Sequence, residues 1–248
     1  MKLYGVLTAI LATTVSGNIV ADTIGAINTS DLGTRVVTLS ASPSWSKGGK
    51  AQTLFLQPDV EKTYTANKKM EALASGEAFL GWQKSLNHNI LGQLGIALAA
   101  STDARLSGDQ WEDADPDYNN YYYNYKINHW HLAAKAKLLA QISMVQPYIS
   151  GSMGLGFNRA HGFDVIPRIE METPPPPFSD KTQIAFTYTL GLGVQKAVAK
   201  NWSVGVGYEF ADWGKSRLAQ GPMQTVGQGL SLSHLYTHGV QCTISFTA

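Results

Sequence analysis

Four groups of side chains in this sequence have types and spacings that could do chemistry. His129 and His131 stand at i, i+2, which on a strand puts both imidazoles on one face, a spacing able to chelate a metal. No clear third ligand stands nearby, so no metal site is assigned. Ser233, His234 and His238 offer a hydroxyl and two imidazoles, as an acyl-transfer site would. Such a site needs nucleophile, base and orienting group within hydrogen-bond reach. No carboxylate lies at suitable spacing, so no catalytic set is assembled and no enzyme is expected. Asp109, Glu112, Asp113, Asp115 and Asp117 resemble a calcium loop superficially, without the glycine and terminal glutamate of the helical motif, and read as a solvated external loop. The fourth group is Glu77, Lys135, Lys137 and Glu209, with Gln83, Tyr148 and Gln241. Its charges balance, and buried charges persist when paired, so it reads as a polar network of ion pairs and hydrogen bonds.

What positions that network is a period of two. From Thr182 to Ala211, Ile184, Phe186, Tyr188, Leu190, Leu192 and Val194 fall on one parity, with glycine, hydroxyls and an amide on the other. After a break at 197–201 the alternation resumes with Trp202, Val204, Val206, Tyr208 and Phe210. This is a long β-hairpin. Six further strands follow the same rule: 35–45, 76–83, 93–100, 125–138, 148–158 and 236–246. Glu77, Lys135, Lys137 and Glu209 all fall opposite the aromatic and aliphatic parity. A lysine facing lipid at mid-bilayer costs about 2–4 kcal/mol, and a one-residue slip would put both lysines there.

The connections alternate. Those after the second, fourth and sixth strands are short, whereas 46–75, 101–124, 159–181 and 212–229 are long. Short turns at one end and long loops at the other suit a transmembrane barrel, with closure satisfying every backbone group. Trp45, Trp82, Trp130, Phe157, Trp202, Tyr208 and Phe246 lie on the apolar parity and are expected as interfacial aromatics. Tyr118, Tyr121, Tyr122, Tyr123 and Tyr125 are read as an upper girdle, with a binding patch as the second reading. Within 46–75, residues 53–57 and 61–66 could pair across Pro58 and Asp59. Pro174 to Pro177 should be extended and stiffen a loop tip. The rival is a water-borne eight-stranded carrier, which would turn the apolar parity inward.

The opening MKLYGVLTAILATTVSGNIVAD has a cationic start, a short apolar core and Ala21 before a cut, so 1–21 is expected to be a secretory signal, 22–34 an N-terminal extension and 35–248 the barrel. The formal charge is +1, and removing Lys2 with the leader makes it neutral, which argues against a nucleic-acid partner. The single Cys242 excludes an intramolecular disulfide.

The segments PYISGSMGLG (147–156), LGLGV (190–194) and WSVGVGYEF (202–210) resemble those of the small eight-stranded outer membrane barrels of OmpA type and the opacity proteins. The closing Val240, Cys242, Ile244 and Phe246 look like the C-terminal signal read by the barrel-assembly machinery, although Thr247 and Ala248 follow. The resemblance implies an all-β, up-and-down, eight-stranded antiparallel barrel in the outer membrane, in contact with its lipids and lipopolysaccharide. It also implies a role in envelope integrity and in contact or adhesion to surface ligands through the loops, without a cofactor. A narrow passive pore is the first alternative, and a barrel enzyme acting on lipid A the second.

Overall fold

The computed structural model describes residues 33–47, 49–142, 144–170 and 173–248. The expected signal and residues 22–32 of the expected extension lie outside the described residues, and Thr34 already belongs to the first strand. In chain order the strands are β1 (Thr34–Ser46), β2 (Gln52–Gln57), β3 (Val60–Tyr64), β4 (Glu71–Asn87), β5 (Ile90–Ser101), β6 (Ala104–Glu112), β7 (Tyr121–Ala140), β8 (Gln146–Pro167), β9 (Lys181–Ala199), β10 (Trp202–Asp212), β11 (Ser216–Arg217), β12 (Ser231–Leu232) and β13 (Tyr236–Thr247).

Eight of these close a ring. Going round it, β1, β4, β5, β7, β8, β9, β10 and β13 each pair antiparallel with the next, and β13 pairs back onto β1. The predicted parity holds around the ring. On β7, Trp130, Leu132, Ala134, Ala136 and Leu138 are exposed while His129, His131, Ala133, Lys135 and Lys137 are buried. A water-borne carrier would show the reverse. Eight strands leave an interior that side chains just fill, and the glycines decide which side chains fit. Tyr148 reaches across to β9 and β10 because Gly193 and Gly207 lack the Cβ that its hydroxyl would meet.

Four ring strands, β4, β7, β8 and β9, run well past one membrane thickness. At ~3.4 Å per residue the 20 residues of β7 extend ~65 Å, whereas a spanning strand needs only ~9–11 residues. The surplus stands on the side of the long connections as a crown. There β2 pairs with β3, β3 with β6, and β6 with the first half of β7. Residues 101–124, expected to be a polar loop, therefore contain a strand and the start of another. The first nine residues of the expected 159–181 loop are likewise the end of β8. The small hairpin expected around Pro58 and Asp59 is β2–β3.

The expected tyrosine girdle is also corrected. Tyr118 and Tyr122 are exposed, but Tyr121, Tyr123 and Tyr125 are buried. They share the inward parity of His129, and burial decides between the two faces. With Tyr64, Leu106, Ile127, Phe163, Val165 and Phe178 they form an apolar cluster above the polar interior. The rings meet edge to face or stacked, as for Tyr64 and Tyr123 at 5.4 Å and Phe163 and Phe178 at 4.8 Å. The last long connection folds over the same mouth. It is pinned by the β11–β12 pair and buries Trp213, Leu218, Leu230 and Leu235 in the cluster.

Candidate functional site: the barrel interior and its rim

The inward charges meet at one level of the barrel. Lys135 Nζ lies 2.5 Å from Glu77 Oε1 and 3.4 Å from Glu209 Oε2, and Gln241 Nε2 donates to Glu209 Oε2 at 3.3 Å. Lys137 Nζ donates to Gln195 Oε1 at 2.6 Å and sits 3.9 Å above the centre of the Tyr148 ring. Gln195 in turn donates to Gln146 Oε1 at 2.9 Å. Gln83 accepts from Gln93 Nε2 at 2.8 Å. The seven residues expected in a polar network thus fall into three adjoining groups. Gln93, Gln146 and Gln195 were missed; Gln93 and Gln195 were already marked by inward parity. Two cavities of about 20 Å³ each remain between these side chains, each with room for about one water.

One level higher, Asn158 ties the ring to the cap. Its Nδ2 donates to the carbonyls of Trp213 at 2.7 Å and Lys215 at 2.8 Å. Its Oδ1 must therefore accept from His129 Nδ1, 2.6 Å away. A neutral His129 then offers Nε2 as acceptor to the Nδ1–H of His131 at 2.8 Å. The Trp213 indole stacks on His129 at 4.3 Å. Each imidazole is committed to the other instead of converging on a common point. Among the described residues no three His, Cys, Asp or Glu are placed to hold a metal ion.

The acidic run does not converge either. Asp109 pairs with Arg168 at 2.6 Å, Glu112 with Lys62 at 2.6 Å, and Asp115 accepts from the amide of Asp117 at 2.9 Å. Burial pushes the phenols of Tyr64, Tyr123 and Tyr125 in this crown well above the usual tyrosine range, with further upward pushes from Glu112 on Tyr64 and Asp109 on Tyr123.

On the outer wall the structure supplies the carboxylate that spacing did not reveal. Asp212 Oδ2 lies 2.7 Å from His234 Nδ1, and its other oxygen accepts from the amide of Gly214 at 2.8 Å. The pair is 22 residues apart in the chain, and β10 and β13 join it by setting Asp212 opposite Tyr236. His238 Nδ1 is hydrogen-bonded to the Tyr208 hydroxyl. Ser233 is exposed and bonds to neither imidazole, so the nucleophile, base and carboxylate of a triad are not assembled.

The seven aromatics expected at interfaces all lie on the outward parity. Trp45, Trp82, Trp130, Trp202 and Tyr208 are exposed. Phe157 and Phe246 are partly covered by Trp130 at 4.0 Å and Trp202 at 5.0 Å. Toward the crown, the outward residues of β7 change from Trp130 to Asn128, Lys126 and Asn124, so the apolar band has a sharp upper border.

Among solved structures, the outer membrane protease OmpT of Escherichia coli matches with a TM-score of 0.52 at 7% identity, over 88% of this chain and 98% of that one. This is the outer membrane β-barrel fold. Neisserial surface protein A matches at 12% identity over 86% of this chain and 96% of that one, with a TM-score of 0.46. OprG of Pseudomonas aeruginosa matches at 10% identity over 87% and 97%, with a TM-score of 0.47. No family model and no curated protein matches the sequence. The likeness is one of fold, and the ring of eight antiparallel strands is the one predicted from the sequence.

Proposed function

We propose that the protein is an outer membrane barrel with a closed interior, whose work is done by its ordered crown. It serves envelope integrity and contact with ligands at the cell surface. The observation that carries this reading is the filled lumen: among the described residues, paired charges occupy mid-barrel with water-sized voids between them, and an apolar cap lies over the mouth. A lumen built this way favours a strut over a passive pore. The crown is a sheet continuous with the barrel, and its outer face carries a cavity of about 510 Å³ bounded by Thr65–Lys68, Ser107–Asp109 and Tyr122–Asn124. Hydroxyls, amides, a carboxylate and an exposed aromatic are the groups that bind polar surface ligands such as saccharides.

Planar-bilayer recording of the reconstituted protein tests the closed interior, with little or no stable conductance expected. Large steady channels would overturn it. Whole-cell binding to immobilised glycans tests the crown, comparing the full chain with a variant in which residues 52–64 are replaced by a short glycine-serine link. Binding should fall while envelope robustness is unchanged; equal binding by both would remove the crown from the proposal.

A further inference from the structure

A trough crosses the outer wall of the barrel, and its floor is a residue that nothing in the fold requires to be bare. Strand register lines up Ala136, Gly151, Leu190 and Phe210 in one row. Leu138, Ile149, Leu192 and Tyr208 form the next. Between them lies a cavity of about 510 Å³. A Cβ built on Gly151 would meet its nearest neighbours at 3.6 and 3.7 Å, which is ordinary contact, and its backbone is not left-handed. Neither packing nor conformation calls for glycine there. Its bareness does one visible thing, which is to keep the trough open.

The first row continues beyond Phe210 to His238 and then to Trp45. At that end the apolar wall gives way to polar groups. His238 is bonded to Tyr208, and the His234 ring lies parallel to Tyr236 at 5.3 Å. His234 is held through Nδ1 by Asp212, whose side chain is only 5% exposed, while the His234 side chain itself is 52% exposed. Lys47 is exposed, lies two residues beyond Trp45 on the same parity, and its amide bonds to the Tyr236 carbonyl at 3.3 Å. Two imidazoles and an ammonium therefore stand where the apolar band meets the crown.

Within a bilayer an acyl chain gains nothing hydrophobic by leaving its neighbours for a trough, because lipid is as apolar as the trough wall. Shape can seat a chain, but selection has to come from the polar end. Imidazole and ammonium groups suit a phosphate. We propose that the trough and its histidine end form one lipid site, which seats an acyl chain of a lipid with a terminal phosphomonoester and net negative charge, in the leaflet nearest the crown. The phosphate then lies against His238, His234 and Lys47. This rests on the membrane placement argued above, and it deepens that reading by naming a ligand class and a position.

The test uses the full chain in bilayer discs made from a zwitterionic lipid with a minor share of phosphatidic acid of the same chains. Retained lipid is counted by native mass spectrometry after exchange into detergent. The unaltered protein should retain phosphatidic acid over the zwitterionic lipid. Gly151→Leu, which fills the trough on the lipid side, and the pair His234→Gln with His238→Gln should each lower that retention about tenfold, equivalent to ~1.4 kcal/mol. Both variants should keep the heat-dependent gel shift of a folded barrel. Equal retention by Gly151→Leu, or equal retention of the two lipids, would overturn the site while leaving the barrel reading intact. Failure of the unaltered chain to fractionate with membranes would instead overturn the membrane placement, and the site with it.

Discussion

Replacing Lys135 by methionine gives the sharpest test of a closed, desolvated interior. Lys135 and Glu77 side chains are each 7% exposed, with 2.5 Å between charges, and Glu209 adds a second contact at 3.4 Å. At an effective dielectric of ~20 these distances correspond to attractions of ~7 and ~5 kcal/mol before desolvation is charged against them. Desolvation offsets much of that, so the pair adds little over an apolar filling. Removing one partner is different, because two carboxylates are left in the barrel without a cation in contact, Glu209 keeping only the Gln241 amide. The expected loss for Lys135→Met is ~3–5 kcal/mol. Lys137 has neutral partners, an amide oxygen and an aromatic face. Lys137→Met should cost less, ~2–3 kcal/mol from a charge-assisted hydrogen bond and a cation–π contact. Adding Glu77→Met and Glu209→Gln to Lys135→Met removes the orphaned charges and should recover most of the loss. Urea unfolding in lipid vesicles, followed by tryptophan fluorescence, measures all of these. A Lys135→Met barrel within ~1 kcal/mol of the parent would refute the reasoning, since only a hydrated lumen could absorb the two charges so cheaply.

Other outcomes follow from the cap and the outer wall. Asn158→Ala leaves the Trp213 and Lys215 carbonyls and His129 Nδ1 without their partner, at ~1–3 kcal/mol for each group that water cannot reach. Protease should then cut the connection between Gly214 and Leu235 at least tenfold faster, with the barrel strands still protected; an unchanged rate would dissociate Asn158 from the cap. The crown tyrosines titrate above the usual value of about 10 because burial disfavours phenolate. Their contribution is thus complete below pH ~10 and is lost as pH rises beyond it. Tyrosinate absorbance should show Tyr64, Tyr123 and Tyr125 ionising only as the crown opens, and a normal titration of all tyrosines in the intact protein would contradict their burial. Cys242 is exposed on the outward parity of β13. In a membrane it should react with a lipid-soluble maleimide and resist a charged one, and the opposite pattern would place that wall in water.

The eight ring strands were legible because each is forced to sort its residues between two solvents. Lys135 and Lys137 against Leu132 and Leu138 admit one register only. The crown was less legible for a physical reason. Above the apolar band the outward parity of β7 becomes Tyr122, Asn124, Lys126 and Asn128, so alternation between greasy and polar fades although the strand continues. In β6, Gly108 and Asp109 lower the strand signal further, and what keeps the segment extended is pairing with β3 and β7. The inward tyrosines read as a girdle in the sequence because a ring on a strand end suits either face. Packing against Tyr64, Phe163 and the rest of the apolar cluster holds them on the inner one. The interior residues were readable by parity, whereas the Asp212–His234 contact depends on a pairing across a long connection and leaves no local trace.

The seam between β1 and β13 sets the order of events during assembly. Thr38 and Ser245, whose hydroxyls meet at 2.8 Å, stand 207 positions apart. Hairpins along the chain can form early, but bringing the outermost two strands together is the costliest loop closure in the molecule and must wait for synthesis of the last of them. Until then two unsatisfied strand margins are open to any other chain that offers backbone partners. An unfinished ring is thus exposed to pairing with its neighbours, and refolding yield should fall as protein concentration rises even where the finished barrel is stable.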